Sequence, residues 1–311
     1  MADHTYTVSF GSSQTLHVEV ADASKHTLLL KADYSIDDTS NTLPSTINQL
    51  FQRISVTSSL KVDPIIQNDL GLYYEQSKDH KQAFDCYQQA AENGFGGSYY
   101  RLGNCYKKGI GTDINPTKAF DCYTKAVDLG YFRSYFKLAC CHKDGVGTPV
   151  NESKAFSCFE ISAKEGYSRS QYDLAYCYQK GIGVKEDLER AFYWYNKAAE
   201  QGLLSAQFKL GCCYENGTGV EKNLETAMVW YHKAGENGHG RAQYKLGSCY
   251  ENGVGVKKNL QKALDWYQKA EKQGYKSTSI PIQVAIAEEN VINFLQNIGT
   301  SIASAVFPSK Q

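Results

Sequence analysis

The chain has 311 residues, 42% hydrophobic and 21% charged, and its 33 lysines and arginines balance 33 aspartates and glutamates to a formal net charge of zero. That apolar share fits a folded chain and excludes disorder over most of the length. The lack of a basic surplus argues against a partner held through a nucleic-acid backbone, and Met1 to Phe10 lacks the basic start and apolar core of a secretory signal, so a protein of the cytosol or nucleus is expected, with the cytoplasm preferred.

Residues 1–43 open with alternating apolar positions: Tyr6, Val8 and Phe10, then Leu16, Val18 and Val20, then Leu28 and Leu30. Period two around Gly11-Ser12-Ser13 predicts a small β-rich segment, a meander, followed by a linker from Asp37 to Asn41. So short a sheet is weak by itself and is expected to pack on the first helical hairpin or to belong to a larger assembly. Within residues 44–64, Ser45 to Leu60 reads as a capping helix.

Residues 65–274 repeat. Leu102, Leu138, Leu174, Leu210 and Leu246 stand 36 residues apart, and Tyr106, His142, Tyr178, Tyr214 and Tyr250 follow each by four. A Gly-x-Gly comes next in every copy, from Gly109/Gly111 to Gly253/Gly255. An alanine then recurs at Ala119, Ala155, Ala191, Ala227 and Ala263, with a ring four residues on at Tyr123, Phe159, Tyr195, Tyr231 and Tyr267. A shorter first copy carries Leu70, Tyr74, Ala83 and Tyr87 without the insert. A fixed period of this length is the signature of stacked repeat units, each too small to bury its own core.

Punctuation turns each unit into two helices, A and B. Asp79, Asn115, Asn151, Asp187, Asn223 and Asn259 precede each helix-B alanine by four residues, where a side-chain oxygen caps the first turn. Pro116 follows Asn115 at the first helical position, which loses no hydrogen bond. Gly94, Gly130, Gly166, Gly202, Gly238 and Gly274 stand fifteen residues after the caps and can take the left-handed conformation that ends a helix. At about 100° per residue, Ser98, Leu102, Cys105 and Tyr106 form the buried stripe of helix A. Ala119, Phe120, Tyr123, Ala126 and Val127 form that of helix B. Cys86, Cys105, Cys122, Cys158, Cys177 and Cys249 fall on these stripes and read as reduced, buried small hydrophobes.

Residues 275–311 lose the pattern. Pro281 and Ile282 take the place of the next helix A, and Val284, Val291, Leu295, Ile298 and Ile302 outline an amphipathic helix. Its polar residues, Asn290, Asn293, Gln296 and Asn297 among them, argue against a membrane span. It is expected to cap the last repeat, with peripheral membrane or partner docking as the other reading.

The run Ala206, Leu210-Gly211, Tyr214, Gly217-x-Gly219-Val220, Ala227, Trp230-Tyr231, Lys233-Ala234 and Gly238 resembles the Sel-1-like repeat. Five full copies and the short one cover Ile66 to Gly274. The short copy, with twelve residues from Gly71 to Ala83, resembles a tetratricopeptide repeat in spacing. His142, Ala139, Ala175, Cys122 and Cys158 depart from the family pattern at single positions. The resemblance implies an all-α fold, a right-handed superhelical solenoid of antiparallel helix hairpins, serving as a non-enzymatic adaptor or scaffold for a partner protein or peptide. Other relatives activate chitin synthase, so a regulatory subunit docked through the C-terminal helix is the alternative. A cysteine-rich branch linked to penicillin binding fits poorly, because these cysteines sit mid-helix.

On the same wheel, the residues two before, two after and five after the key leucine point away from the stripe and are expected to line the concave groove. They comprise the rings Tyr100, Phe136, Tyr172, Phe208 and Tyr244, the mixed set Asn104, Cys140, Tyr176, Cys212 and Ser248, and the polar set Lys107, Lys143, Gln179, Glu215 and Glu251. The rings suit either packing between repeats or a ladder gripping an extended peptide. The polar set, lysine early and glutamate late, reads either as a solvated face or as a gradient that would orient a partner with its acidic end toward Lys107 and its basic end toward Glu251.

No catalytic or cofactor signature competes with this reading. There is no CxxC, His-Glu-x-x-His, Gly-x-Ser-x-Gly or phosphate loop, so neither a metal nor a cofactor is expected. Gly-x-Gly at five equivalent places is architectural, and His142 reads as a packed stand-in for tyrosine.

Overall fold

The computed structural model of the chain describes residues 64–275, the backbone of three strands before them, and residues 282–284, 286, 287 and 290 after them. The chain divides into two compact units, Met1–Asn151 and Glu152–Gln311. The capping helix expected over Ser45–Leu60 lies outside the described residues.

In the first unit, β1 (His4–Phe10), β2 (Thr15–Asp22) and β3 (Thr27–Ser35) pair antiparallel in that order, with Phe10 opposite Leu16 and Asp22 opposite Thr27. Among the described residues five helices follow: α1 (Pro64–Gln76), α2 (His80–Glu92), α3 (Gly96–Lys108), α4 (Pro116–Asp128) and α5 (Ser134–Asp144). The second unit holds α6 (Glu152–Lys164), α7 (Ser168–Lys180), α8 (Leu188–Glu200), α9 (Leu204–Asn216), α10 (Leu224–Glu236), α11 (Gly240–Asn252) and α12 (Leu260–Glu271). Over residues 64–275 the fold is all-helical and repetitive. Within each unit a helix packs on the one before it and the one after it.

The helices begin and end for the reasons the sequence offers. Asp79, Asn115, Asp187, Asn223 and Asn259 accept the third-residue amide of their helices at 2.9–3.2 Å, each satisfying a donor that has no partner within the helix. The first glycine of a Gly-x-Gly closes helix A: Gly217 sits at φ +71° and donates its amide to Cys213 O. The second has a different duty. At Gly219 an added Cβ would overlap the carbonyl of Leu188, the first residue of the preceding helix B, so two repeats meet there backbone to backbone.

Each unit buries one ring of helix B. Tyr87, Tyr123, Tyr195, Tyr231 and Tyr267 are at most 2% exposed, as is Phe159. The residue after the key leucine leaves room for them: an added Cβ at Gly211 would stand 2.6 Å from the Tyr231 ring. Buried polar contacts pin one repeat to the next. Gln171, Gln207 and Gln243 donate side-chain amides to the carbonyls of Ala163, Ala199 and Gly235, and the Ser170 hydroxyl donates to Ser162 at 2.7 Å.

All ten cysteines are free. One regularity adds Cys141 and Cys213 to the stripe cysteines: the third residue after the key leucine is cysteine in every full copy, and Cys105, Cys141, Cys177, Cys213 and Cys249 are all buried. Cys158, expected on the stripe, is only half-buried. At the C-terminal end Ile282 and Ile286 pack against the hairpin of α11 and α12, whereas Val284, placed by the wheel on the apolar face, is 53% exposed. The inward positions are four apart, as one helix face requires.

Candidate partner-binding face

The residues expected to line a groove converge on the buried helix-B tyrosine. The rings two before the key leucine pack on it: Tyr100 on Tyr123 at 6.2 Å, Tyr172 on Tyr195 at 5.5 Å, Phe208 on Tyr231 at 5.7 Å and Tyr244 on Tyr267 at 5.2 Å between centroids. Tyr100 also meets Tyr131 at 5.3 Å and Phe208 meets His239 at 5.1 Å. Tyr100, Phe136, Tyr172 and Phe208 are half-buried and Tyr244 is 38% exposed. These rings therefore pack on helix B and keep part of their surface outward. A wheel with one stripe suits a helix packed on one neighbour, whereas helix A lies between two helices B and buries two faces.

The polar positions meet the same tyrosine at its hydroxyl. Tyr195 donates to Gln179 Oε1 at 3.1 Å, Tyr231 to Glu215 Oε2 at 2.6 Å, Tyr267 to Glu251 Oε2 at 2.7 Å, and in the short copy Tyr87 to Glu75 Oε2 at 2.6 Å. In the first full copy Asn104 Oδ1 accepts from Tyr123 at 3.0 Å instead, and Lys107 is left exposed. Burial, helped by the acceptor carboxylates beside Tyr87, Tyr231 and Tyr267, pushes these hydroxyls above the ordinary tyrosine range. They stay protonated and act as donors. Sequence reasoning missed this pairing because donor and acceptor lie 12 or 16 residues apart on different helices. The available signal was that glutamine or glutamate, never a purely apolar residue, stands opposite each of those tyrosines.

Glu215 takes a second donor, the Lys245 ammonium at 2.8 Å, from the next helix A. Burial works against that charge, but the carboxylate more than offsets it and pushes the Lys245 pKa up. The late glutamates are therefore partly spent inside the fold. In the second unit Tyr176 and Tyr244 are each 38% exposed, and in the first unit Lys107 and Lys143 are exposed. Cys140, Cys212 and Ser248 are half-buried.

His142 packs edge-on against Phe120 at 5.3 Å, as a substitute for tyrosine should. Among the described residues no group of three histidine, cysteine or carboxylate side chains is placed to hold a metal. Among the same residues no helix is long and apolar enough to cross a membrane.

Six consecutive segments, 66–95, 97–131, 133–167, 168–203, 204–239 and 240–275, match the Sel1 repeat. The chain belongs to the Sel1 repeat family. Members of that family generally mediate protein–protein interaction. Among solved structures, a Sel1 repeat protein from Oxalobacter formigenes is 26% identical with a TM-score of 0.64, over 70% of this chain and 84% of that one. The antigen c5321, described as protective and present in uropathogenic Escherichia coli strains and as displaying an SLR fold, is 30% identical with a TM-score of 0.67. The match covers 74% of this Sel1 chain and 49% of c5321, so this chain spans about half of that protein. No curated protein sequence matches.

Proposed function

We propose that this Sel1 repeat chain is a non-enzymatic adaptor of the cytoplasm whose stacked hairpins form a right-handed solenoid, with a segment of another protein held in the concave groove along the helix-A faces. The observation that carries it is the division of labour on those faces. Tyr100, Phe136, Tyr172, Phe208 and Tyr244 turn part of each ring inward and leave the rest outward, and Tyr176 is exposed as well. Aromatic side chains that are half-buried and held by packing suit recognition, because they offer contact area at little cost in entropy. Asn104, Gln179, Glu215 and Glu251 present polar edges beside them. The N-terminal β-rich segment belongs to this reading as a small accessory unit.

The C-terminal helix serves here as a cap rather than as an attachment device. Ile282 and Ile286 occupy the apolar edge of the last hairpin, and that contact supports the choice. The experiment is affinity purification from cells with the intact chain, a Tyr176→Ala variant and, as control, a Tyr193→Ala variant altered on the outer face of helix B, where the ring is 52% exposed. A partner set lost with Tyr176→Ala and retained with Tyr193→Ala is the expected result. Retention with the first and loss with the second would move binding to the other face.

A further inference from the structure

The helix-A ring four residues after the key leucine meets a ring of the preceding helix B. At the first four junctions that ring is the phenylalanine after the helix-B alanine: Phe84, Phe120, Phe156 and Phe192 stand edge-on to Tyr106, His142, Tyr178 and Tyr214 at 5.3–5.4 Å between centroids. At the last junction Met228 takes the place of the phenylalanine, and the edge-on ring comes from one turn further along α10, where His232 lies 6.0 Å from Tyr250 at 81°. The position of His232 holds Gln88, Thr124, Glu160, Asn196 and Gln268 in the other copies. An imidazole, which can take a proton near neutral pH, thus stands where the earlier helices B offer a phenylalanine.

This imidazole is half-buried and touches three helices. Nε2 lies 3.2 Å from the Tyr250 hydroxyl of α11, Nδ1 lies 3.6 Å from Glu236 Oε1 one turn on in α10, and the ring stands edge-on to Trp266 of α12 at 5.4 Å. A carboxylate only accepts, so Glu236 favours the tautomer with its hydrogen on Nδ1 and leaves Nε2 to accept the Tyr250 hydroxyl. Protonation puts a hydrogen on Nε2, and that bond is lost. The new charge also meets two cations of α12: Lys262, 5.4 Å from the Tyr250 ring centre, and Lys269, 4.0 Å from that of Trp266. Burial above all, and the two lysines with it, outweigh Glu236 and hold the His232 pKa below its ordinary 6.5. A base kept neutral by the fold lends stability above its unfolded pKa and withdraws it as pH falls below that value.

We propose that the junction of α10 with the hairpin of α11 and α12 is an acid-sensitive latch, closed by neutral His232 between Tyr250, Glu236 and Trp266 and loosened when the imidazole takes a proton. The last repeat of a stacked series has one neighbouring repeat, so weakening that junction opens it while the rest stays folded. Under the adaptor reading α11 carries Tyr244 of the partner face, which opening would withdraw. The latch itself stands without that reading.

The test is hydrogen exchange of the full chain and of its H232Q variant, compared peptide by peptide at about pH 7.5 and about pH 5.5. His142 and His239 are common to both proteins, so their own titration cancels. On acidification the ratio of wild-type to H232Q exchange should rise several-fold over α11 and α12, with a ceiling of about tenfold for one pH unit below 6.5, and stay level over α7 and α8. Glutamine stands at the same place in α2 and α12. Should H232Q melt without a cooperative transition, H232N, copying Asn196, repeats the comparison. In W194F/W230F, which leaves Trp266 as the single tryptophan, the imidazolium beside it should quench its emission with a midpoint below pH 6.5, and H232Q should abolish the step. A ratio that does not change with pH, a rise shared equally by α7 and α8, or an acid step in Trp266 emission that survives H232Q overturns the proposal.

Discussion

Glu215 shows how one side chain can be misjudged from sequence: it reads as a solvated charge on a groove, and it holds a tyrosine hydroxyl and a lysine ammonium together. Removing its carboxylate leaves two donors without a partner, and removing the Tyr231 hydroxyl leaves Glu215 with Lys245. Glu215→Ala is accordingly expected to cost roughly 1.5–3 kcal/mol and Tyr231→Phe roughly 0.5–1.5 kcal/mol, read from urea denaturation. The reverse order would show that the pairing is incidental. His239 gives the residue scale a pH signature. Its Nδ1 accepts the Ala242 amide at 3.3 Å at the start of α11, its ring lies on Phe208, and burial, with the Arg241 charge, lowers its pKa from 6.5. A histidine held neutral in the fold supports stability above its unfolded pKa and loses that support as pH falls below it. The melting temperature should therefore fall below about pH 6.5. In His239→Asn, where asparagine can cap without titrating, the fall should be smaller. An identical pH dependence in both proteins would exclude this role.

Helix boundaries and their order were legible because each rests on local chemistry that a sequence displays: an Asx cap, a helix-ending glycine, an alanine followed by a ring. Asn223→Ala should cost about 1 kcal/mol through the lost bond to the Thr226 amide. Gly219→Ala should cost more than about 1 kcal/mol, since it combines a positive φ with a clash against the Leu188 carbonyl. Two denaturation curves decide this, and a smaller effect at Gly219 than at Asn223 would contradict the close backbone approach. What stayed hidden is the second buried face of helix A. A single-helix wheel puts Tyr172 and Gln179 on the far side from Leu174, and only a neighbouring hairpin can supply the Tyr195 ring and hydroxyl that they meet. The same limit placed Val284 inside and passed over Ile286.

At the scale of the whole chain, repetition of the hairpin replaces a single core, and a buried thiol recurs in every full copy. Burial is the main cause that lifts Cys86 and Cys213 to about 12 and Cys105, Cys141 and Cys249 to about 11. A thiol reacts as its thiolate. Brief alkylation near pH 8 should hence leave these five unmodified in the native chain and label them in urea, as peptide mass spectrometry would reveal. Rapid native labelling would mean that the repeats open readily. The account as a whole predicts that a partner sees helix A and not helix B. Hydrogen exchange of the full chain with and without its captured partner tests this most directly. Protection should appear along α3, α5, α7, α9 or α11, and protection confined to α2, α4, α6, α8, α10 and α12 would contradict it.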